Sequence, residues 1–360
     1  MKILHIVEDF SINSGGLRTV VKELDIQLKM DCYNSYILSS VKEKQDDVFV
    51  VKTNNKWLYS KEWENKIDRI VVENKINIIH IHGIWLYPQY IGAKYAVKNK
   101  IPFVLSSHGI LQPWLWKKGS LKKKLYFKFK IKRWFTKATV FHSITADESK
   151  NLSKYFDFRK IVEIPNLISF PHKKVTYKPE NYILYLGRLN KTKGIDILLE
   201  AFSRIENNSF KLKIAGNFNE YKKYLEKLVI KYNLQKKVEF LGAISGESKI
   251  KLIANAWVMV SPSYSDVIGM VNLEAASQKT PMITTFNTGL KKEWSNNGGK
   301  LINPNTDELE EQLSFVIKWS SEERRNNGEK LFSFVKENYS WEKQIVNWIN
   351  LYKKVLNDSK

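Results

Sequence analysis

Cysteine is all but missing from this chain. Cys32 stands alone among 360 residues, so no intramolecular disulfide can staple the fold, and a reducing compartment is expected. Long apolar runs are missing too: no window approaches the ~18–20 apolar residues that cross a bilayer. The opening "MKILHIV" is too short for a signal peptide and reads as a buried first strand. A soluble or peripheral protein is therefore expected. Acid is missing locally, with no Asp or Glu between Glu73 and Asp147 although Lys and Arg keep recurring there. Several motifs are missing as well. There is no GxGxxG, no Walker A loop, no DxD between suitable strands, and no helix-turn-helix, RNP or zinc pattern. No metal or cofactor is expected on these grounds.

What is present can build real cores. Hydrophobic residues make up 43% of the chain and aromatics 13%, and a chain of this length defaults to two domains. Net charge is +22, concentrated in the acid-free segment, a field that attracts nucleic acid, anionic lipid or phosphorylated substrates. Its densest part runs from Lys117 to Lys137, "KKGSLKKKLYFKFKIKRWFTK", with ten Lys or Arg, five aromatics and no acid. The plain alternative is a solvated face in a generally lysine-rich protein.

Apolar runs alternate with helical patterns throughout, which predicts an α/β fold with parallel sheets. Candidate strands are "KILHIV", "INIIHIHG", "PFVLSSHG" and "ATVFHSIT", then "YILYLGR", "FKLKIAG", "KVEFLG", "WVMVSPS" and "PMITT". Helices are predicted over residues 17–30, 195–205 and 220–232. Three prolines in "PNLISFPHKKVTYKPENY" mark a linker. One domain is placed at residues 1–168 and another at 178–338. The tail carries Trp341, Ile345, Trp348, Ile349 and Tyr352 at helical spacing, predicting an amphipathic helix over about 341–357 that packs back on the first domain.

Three places carry chemistry. Gly15 and Gly16 lie between a strand and a helix, where the backbone can approach a ligand and the helix amino end favours an anion; a simple turn explains them equally. In "YLGRLNKTKGID", Arg188 follows a strand and Lys193 precedes a helix, so a planar fork, a point charge and free N–H groups can clamp a diphosphate. In "PSYSDVIGMVNLEAAS", Asp266 and Glu274 stand eight residues apart, about 12 Å if one helix ran through both. That is too far for the ~5–5.5 Å carboxyl pair of a retaining glycosidase. They read instead as two hydroxyl acceptors gripping one extended ligand; a helix cap and a chance acid are the bland alternative.

Together, "GRLNKTKG", "VEFLGAIS" and "SPSYSDVIGMVNLEAA" closely resemble the carboxyl-terminal signature of glycosyltransferase family 4. "GGLRTVVKEL", "IIHIHGIWLYP" and "LSSHGILQPWLWKKG" resemble the first half of bacterial surface-polysaccharide (O-antigen or capsule type) members, so the likeness spans nearly the whole chain. It implies the GT-B fold: two Rossmann-like domains with parallel sheets facing across a cleft. It implies that Arg188 and Lys193 hold the donor's diphosphate, Glu274 the nucleotide ribose, and Asp266 the donor sugar. His108 would face the reaction centre. Gly15, Gly16, Gly242 and Gly269 would bring backbone close to the donor. At least one of His80 and His82 is expected to be a satisfied core residue. Two departures stand out. Asp266 replaces the usual Glu, one methylene shorter, and Lys279 in "SQKTP" takes the usual glycine's place.

The resemblance implies a retaining, metal-independent transferase. It would move a sugar from a nucleotide sugar, UDP favoured over GDP, to a polyprenyl-diphosphate-linked saccharide, in the cytoplasm and peripheral on the inner face of the cytoplasmic membrane. Donor binding would bring the domains together and exclude water. A basic nucleic-acid-binding protein and a catalytically degenerate scaffold are the rival readings. The stretch 117–137 begins beside His108, on the acceptor side. There Leu121, Leu125 and Phe129 share one helical face and Phe127, Ile131 and Trp134 another, though "FKFKIK" also alternates as a strand would. Read as a helix, it keeps one stripe for the core and offers the other, with Trp114 and Trp116, to an anionic membrane surface.

Overall fold

The computed structural model describes residues 1–109, 120–170, 178–206 and 209–358. It forms two compact units, one of Met1–Asn166 with Gln344–Lys360 and one of Leu167–Lys343. The N-terminal unit holds a seven-stranded, wholly parallel sheet in the order β3-β2-β1-β4-β5-β6-β7. Its strands are β1 (Lys2–Ile6), β2 (Asn34–Ser39), β3 (Phe49–Val50), β4 (Ile78–His82), β5 (Phe103–Ser106), β6 (Val140–Ser143) and β7 (Ile161–Glu163). The chain winds outward from β1 in one direction and from β4 in the other, so the switch point lies between them. In open α/β sheets ligands gather beyond the carboxyl ends of strands at such a point.

The inner strands β1, β4, β5 and β6 are buried on both faces, as parallel strands are. Leu4, Ile6, Ile79, Ile81, Phe103, Leu105 and Phe141 point to one face and share a core with Trp63, Ile67 and Ile91. The opposite face of the same strands carries His5, His80, His82, Ser106 and His142, paired across the sheet as His5–His80, His82–Ser106 and Ser106–His142. Period-two alternation thus sorts apolar from polar inside a sheet that shows water neither side. The terminal helix Trp341–Asn357 closes over the histidine face from Gln344 onward. Its Trp348 ring lies 4.5 Å from His142 and its Tyr352 ring 5.8 Å from His80.

In the C-terminal unit six parallel strands run in the order β10-β9-β8-β11-β12-β13. They are β8 (Glu180–Leu186), β9 (Lys211–Ala215), β10 (Val238–Gly242), β11 (Ala256–Ser261), β12 (Met282–Thr285) and β13 (Lys300–Ile302). The switch point here falls between β8 and β11, with Gly187-Arg188 and the Pro262–Asp266 loop directly beyond their carboxyl ends. Helices predicted at 17–30, 195–205 and 220–232 form as Gly16–Met30, Ile195–Arg204 and Glu220–Lys231. Four further strands, β2, β3, β7 and β13, lie outside the predicted runs and pair with β1, β2, β6 and β12.

The basic stretch is helical where described. Ser120–Tyr126 continues through a π turn, Phe127–Ile131, into Lys132–Phe135. Ile131 and Phe135 are buried, with Phe127 and Trp134 packed beside them. Leu121, Leu125 and Phe129 stay exposed, by 70%, 48% and 61%. Trp114, Trp116 and the residues from Lys117 to Gly119 lie outside the described residues.

Candidate functional site

The candidate clamp residues of the C-terminal unit lie on two loops locked together. Asn190 Oδ1 accepts from the Thr192 amide at 3.0 Å and its hydroxyl at 2.6 Å, curling the loop 190–194 into a 3-10 turn. Gly194 ends that turn at φ +65°, and a Cβ there would stand 2.0 Å from the Pro262 carbonyl. Only glycine permits both the conformation and the approach. The Tyr264 amide donates to Thr192 O at 2.9 Å. The contact delivers Lys193 to Asp266, Nζ to Oδ2 2.5 Å, both side chains largely buried. Arg188 is exposed just past β8 and pairs with no carboxylate among the described residues.

Asp266 is not on a helix. The helix Met270–Ser277 begins four residues later, with Gly269 at its amino end. A Cβ on Gly269 would sit 2.6 Å from Asp266 Oδ2, so glycine there leaves room for the carboxylate. Glu274, on that helix, accepts from Lys249 Nζ at 2.7 Å through Oε1, while Oε2 is buried without a hydrogen-bond partner. Lys249, from helix Gly246–Asn255, is a site neighbour that sequence reasoning passed over, since nothing in its local pattern ties it to a residue 25 positions on. Gly242 closes β10 at φ +73° beside Phe218. Lys279 adopts φ +58°, the left-handed conformation that the usual glycine takes freely, and pairs with Glu329 at 2.6 Å.

In the N-terminal unit His108 follows β5 at φ +51°, before Gly109 at φ +78°. A left-handed non-glycine residue marks a functional or tightly determined position. The determinant is Glu148, which accepts from Ser107 Oγ and the Gly109 amide, each at 2.5 Å, and from the Ile144 amide at 2.7 Å. Burial pushes its carboxyl up, against these hydrogen bonds. Glu148 is the loop-setting residue the sequence did not disclose. Gly15 (φ +65°) and Gly16 are exposed at the amino end of helix Gly16–Met30, which has no side-chain cap and no acid in its first turn.

Behind His108 lie the buried histidines. His142 Nε2 touches the Ile164 carbonyl (2.8 Å), Ser106 Oγ bridges His142 Nδ1 (2.8 Å) and His80 Nε2 (2.7 Å), and His80 Nδ1 meets Tyr352 Oη (2.8 Å). A carbonyl only accepts. His142 Nε2 therefore donates, Ser106 donates to His142 Nδ1, His80 Nε2 donates to Ser106, and Tyr352 donates to His80 Nδ1. A second chain runs from His5 Nδ1 to His82 Nε2 (3.0 Å) and from His82 Nδ1 to His108 Nε2 (2.9 Å). Burial lowers His5 and His108 to about 3 and His142 to about 4, and drives His80 and His82 well down, so all are neutral imidazoles. Both His80 and His82 are thus satisfied core residues. His5, His80 and His82 lie close enough to share a metal ion, but five of their six ring nitrogens are committed to these hydrogen bonds.

Comparisons with known proteins place the chain in a family. Residues 14–170 match glycosyltransferase family 4, and residues 169–356, more than half of the chain, match glycosyl transferases group 1. An uncharacterized glycosyltransferase of Methanocaldococcus jannaschii is 29% identical over 302 residues, 81% of this chain and 79% of that one. The O-antigen chain mannosyltransferase RfbU of Salmonella typhimurium is 26% identical over 190 residues, 51% of this chain and 52% of its own. Among solved structures, sucrose-phosphate synthase from Thermosynechococcus elongatus superposes with TM-score 0.78 at 17% identity, covering 99% of this chain and 100% of that one. Anabaena HepE, in complex with UDP and glucose, gives 0.76 at 15%, covering 97% and 99%. The nucleic-acid reading is not favoured by any of these. Two wholly parallel α/β units and two glycosyltransferase matches that between them take in residues 14–356 lead to one statement: the chain belongs to glycosyltransferase family 4 and is a glycosyltransferase of GT-B fold.

Proposed function

We infer that this enzyme transfers a sugar, with retention and without a metal ion, from a nucleoside-diphosphate sugar to a polyprenyl-diphosphate-linked saccharide in surface-polysaccharide synthesis. UDP is the favoured nucleotide and GDP the alternative. The observation that carries the donor assignment is the charge layout of the C-terminal unit. Among the described residues Arg188 is exposed with no carboxylate partner, Lys193, paired with Asp266, stands just before a helix amino end, and Glu274 keeps one buried carboxylate oxygen unpartnered. Two cations and free N–H groups suit a diphosphate and can take the place of a cation as charge develops on the leaving oxygen. The empty lone pairs of Glu274 suit a ribose diol. Asp266, already beside Lys193, suits sugar hydroxyls. In the N-terminal unit His108 and the uncapped glycine turn at Gly15-Gly16 take the donor's sugar and phosphate side. A relative named for the O-antigen chain and a fold neighbour holding UDP point the same way.

The acceptor assignment rests on the helix beyond Ser120. Leu121, Leu125 and Phe129 form an exposed apolar stripe flanked by the exposed Lys124, Lys128, Lys130 and Lys132. An apolar stripe edged by lysine fits the headgroup region of an anionic bilayer, each cation adding about 1 kcal/mol. No helix among the described residues is long and apolar enough to cross it. The test is a panel of UDP- and GDP-sugars for thermal stabilisation, then transfer from the best donor to lipid-linked saccharides. A UDP-sugar should raise Tm and be consumed; no shift with any donor would overturn the reading. Sedimentation with phosphatidylglycerol-containing vesicles should exceed that with phosphatidylcholine alone and drop when Leu125 and Phe129 become Gln. Equal binding to both vesicle types would remove the membrane role.

A further inference from the structure

The two histidine chains differ in how their ends are tied. The one through His80 and His142 finishes on a carbonyl, which fixes its direction. The one through His5, His82 and His108 has a sealed end and an open end. At the sealed end His5 Nε2 is buried and has no hydrogen-bond partner. At the open end His108 is half-buried, whereas His5 and His82 have 0% and 1% exposure.

Two proton arrangements of three neutral imidazoles satisfy the distances. If donation runs inward, from His108 to His82 to His5, the last N–H is trapped on His5 Nε2 with nothing to receive it. If it runs outward, His5 Nε2 keeps only a lone pair, and the last N–H emerges on His108 Nδ1, where water or a ligand can accept it. Buried N–H groups without an acceptor are rarer and costlier than acceptors left short of a donor. The outward direction leaves no donor unmatched.

We propose that His82, oriented in turn by His5, is a positioning residue that holds His108 in the Nδ1–H tautomer, so that His108 offers a neutral hydrogen-bond donor to the bound sugar nucleotide. The hydrogen bond made by one ring nitrogen decides what the other presents, as the carboxylate behind a catalytic histidine does elsewhere. The role for His108 rests on the function proposed above, but its tautomer can be read without any ligand.

Ring-15N histidine labelling of the full chain decides the matter, with peaks assigned by single substitutions. The expected spectrum has His108 protonated at Nδ1 and bare at Nε2, and His5 bare at Nε2. His82→Asn keeps an amide donor near the place of Nδ1 and should preserve the His108 pattern. His82→Leu removes it and should change that pattern. With a donor that the wild type consumes, His82→Leu should lower kcat about 10- to 100-fold while KM moves far less, and His82→Asn should recover most of the loss. A wild-type His108 protonated at Nε2, or a His82→Leu protein with an unaltered His108 pattern, overturns the proposal. If His82→Leu does not fold, the wild-type and His82→Asn spectra decide alone. Failure of the donor assignment would appear separately, as absence of stabilisation by UDP-sugars.

Discussion

Asp266, which by the resemblance stands where family 4 enzymes usually carry Glu, pairs with Lys193 at 2.5 Å. Lys193 is then partly neutralised before any diphosphate arrives. Under the proposed donor mode, Asp266→Asn should free that charge. Such a partly screened pair is worth about 1 kcal/mol, so UDP should bind roughly 5-fold tighter, while turnover of the intact sugar donor falls because a hydroxyl acceptor is lost. Calorimetric titration with UDP checks the first half and kcat the second; weaker UDP binding by the variant would contradict the arrangement. The residue types proposed for the clamp were legible as sequence because Arg188, Lys193 and Asp266 follow strands or precede a helix, with Glu274 inside the helix that comes next. Lys249 and Glu148 were not, because their partners are 25 and about 40 residues away and only the folded chain brings them together.

At the level of elements, the loop proposed to hold the donor depends on one close approach. The turn 190–194 can lie against the Pro262 carbonyl only because residue 194 has no Cβ. Gly194→Ala should force the loop away, costing about 2 kcal/mol in backbone strain and contact. That corresponds to a Tm lower by roughly 4–8 °C, and UDP affinity should fall as well because Lys193 moves with the loop. Differential scanning calorimetry with and without UDP separates the two effects. A variant with unchanged Tm would show that the loop packs otherwise. The loop itself was legible from "NKTKG". The reason for its glycine was not, since Pro262 is 68 positions on.

For the whole molecule, the histidine face makes stability depend on pH. His5, His80, His82 and His142 are buried and neutral, with folded pKa values below the ordinary 6.5. Unfolding lets each take up a proton below pH 6.5, so stability is fully present above that value and is lost as pH falls toward the folded values. Each contributes about 1.4 kcal/mol per pH unit in that window. Four together approach ~5 kcal/mol per unit, against a typical total of about 5–15 kcal/mol. Glu8 and Glu148, whose buried carboxyls are raised, work in the opposite sense and offset part of this in the carboxylate range. Tm measured between pH 8 and 5 should be level above about 6.5 and fall steeply below it. A flat profile to pH 5 would mean that the histidines are charged or hydrated in the folded state.

The alternation of apolar-rich strands with amphipathic helices, and the terminal pattern of Trp341, Trp348 and Tyr352, were enough by themselves to determine the class of fold, because short apolar-rich runs separated by amphipathic helices mark buried parallel strands. The residues proposed for the clamp and the lysine-edged stripe after Ser120 could be named from local spacing. Tertiary structure alone decided which polar groups meet. His5, His80, His82, His108 and His142 arise on or beside four strands, and nothing in any one strand says that their rings share one face. Hydrogen bonds between side chains far apart in sequence are set by strand order and register. These are collective properties of the folded sheet, and on them depends which nitrogen of His108 carries its proton.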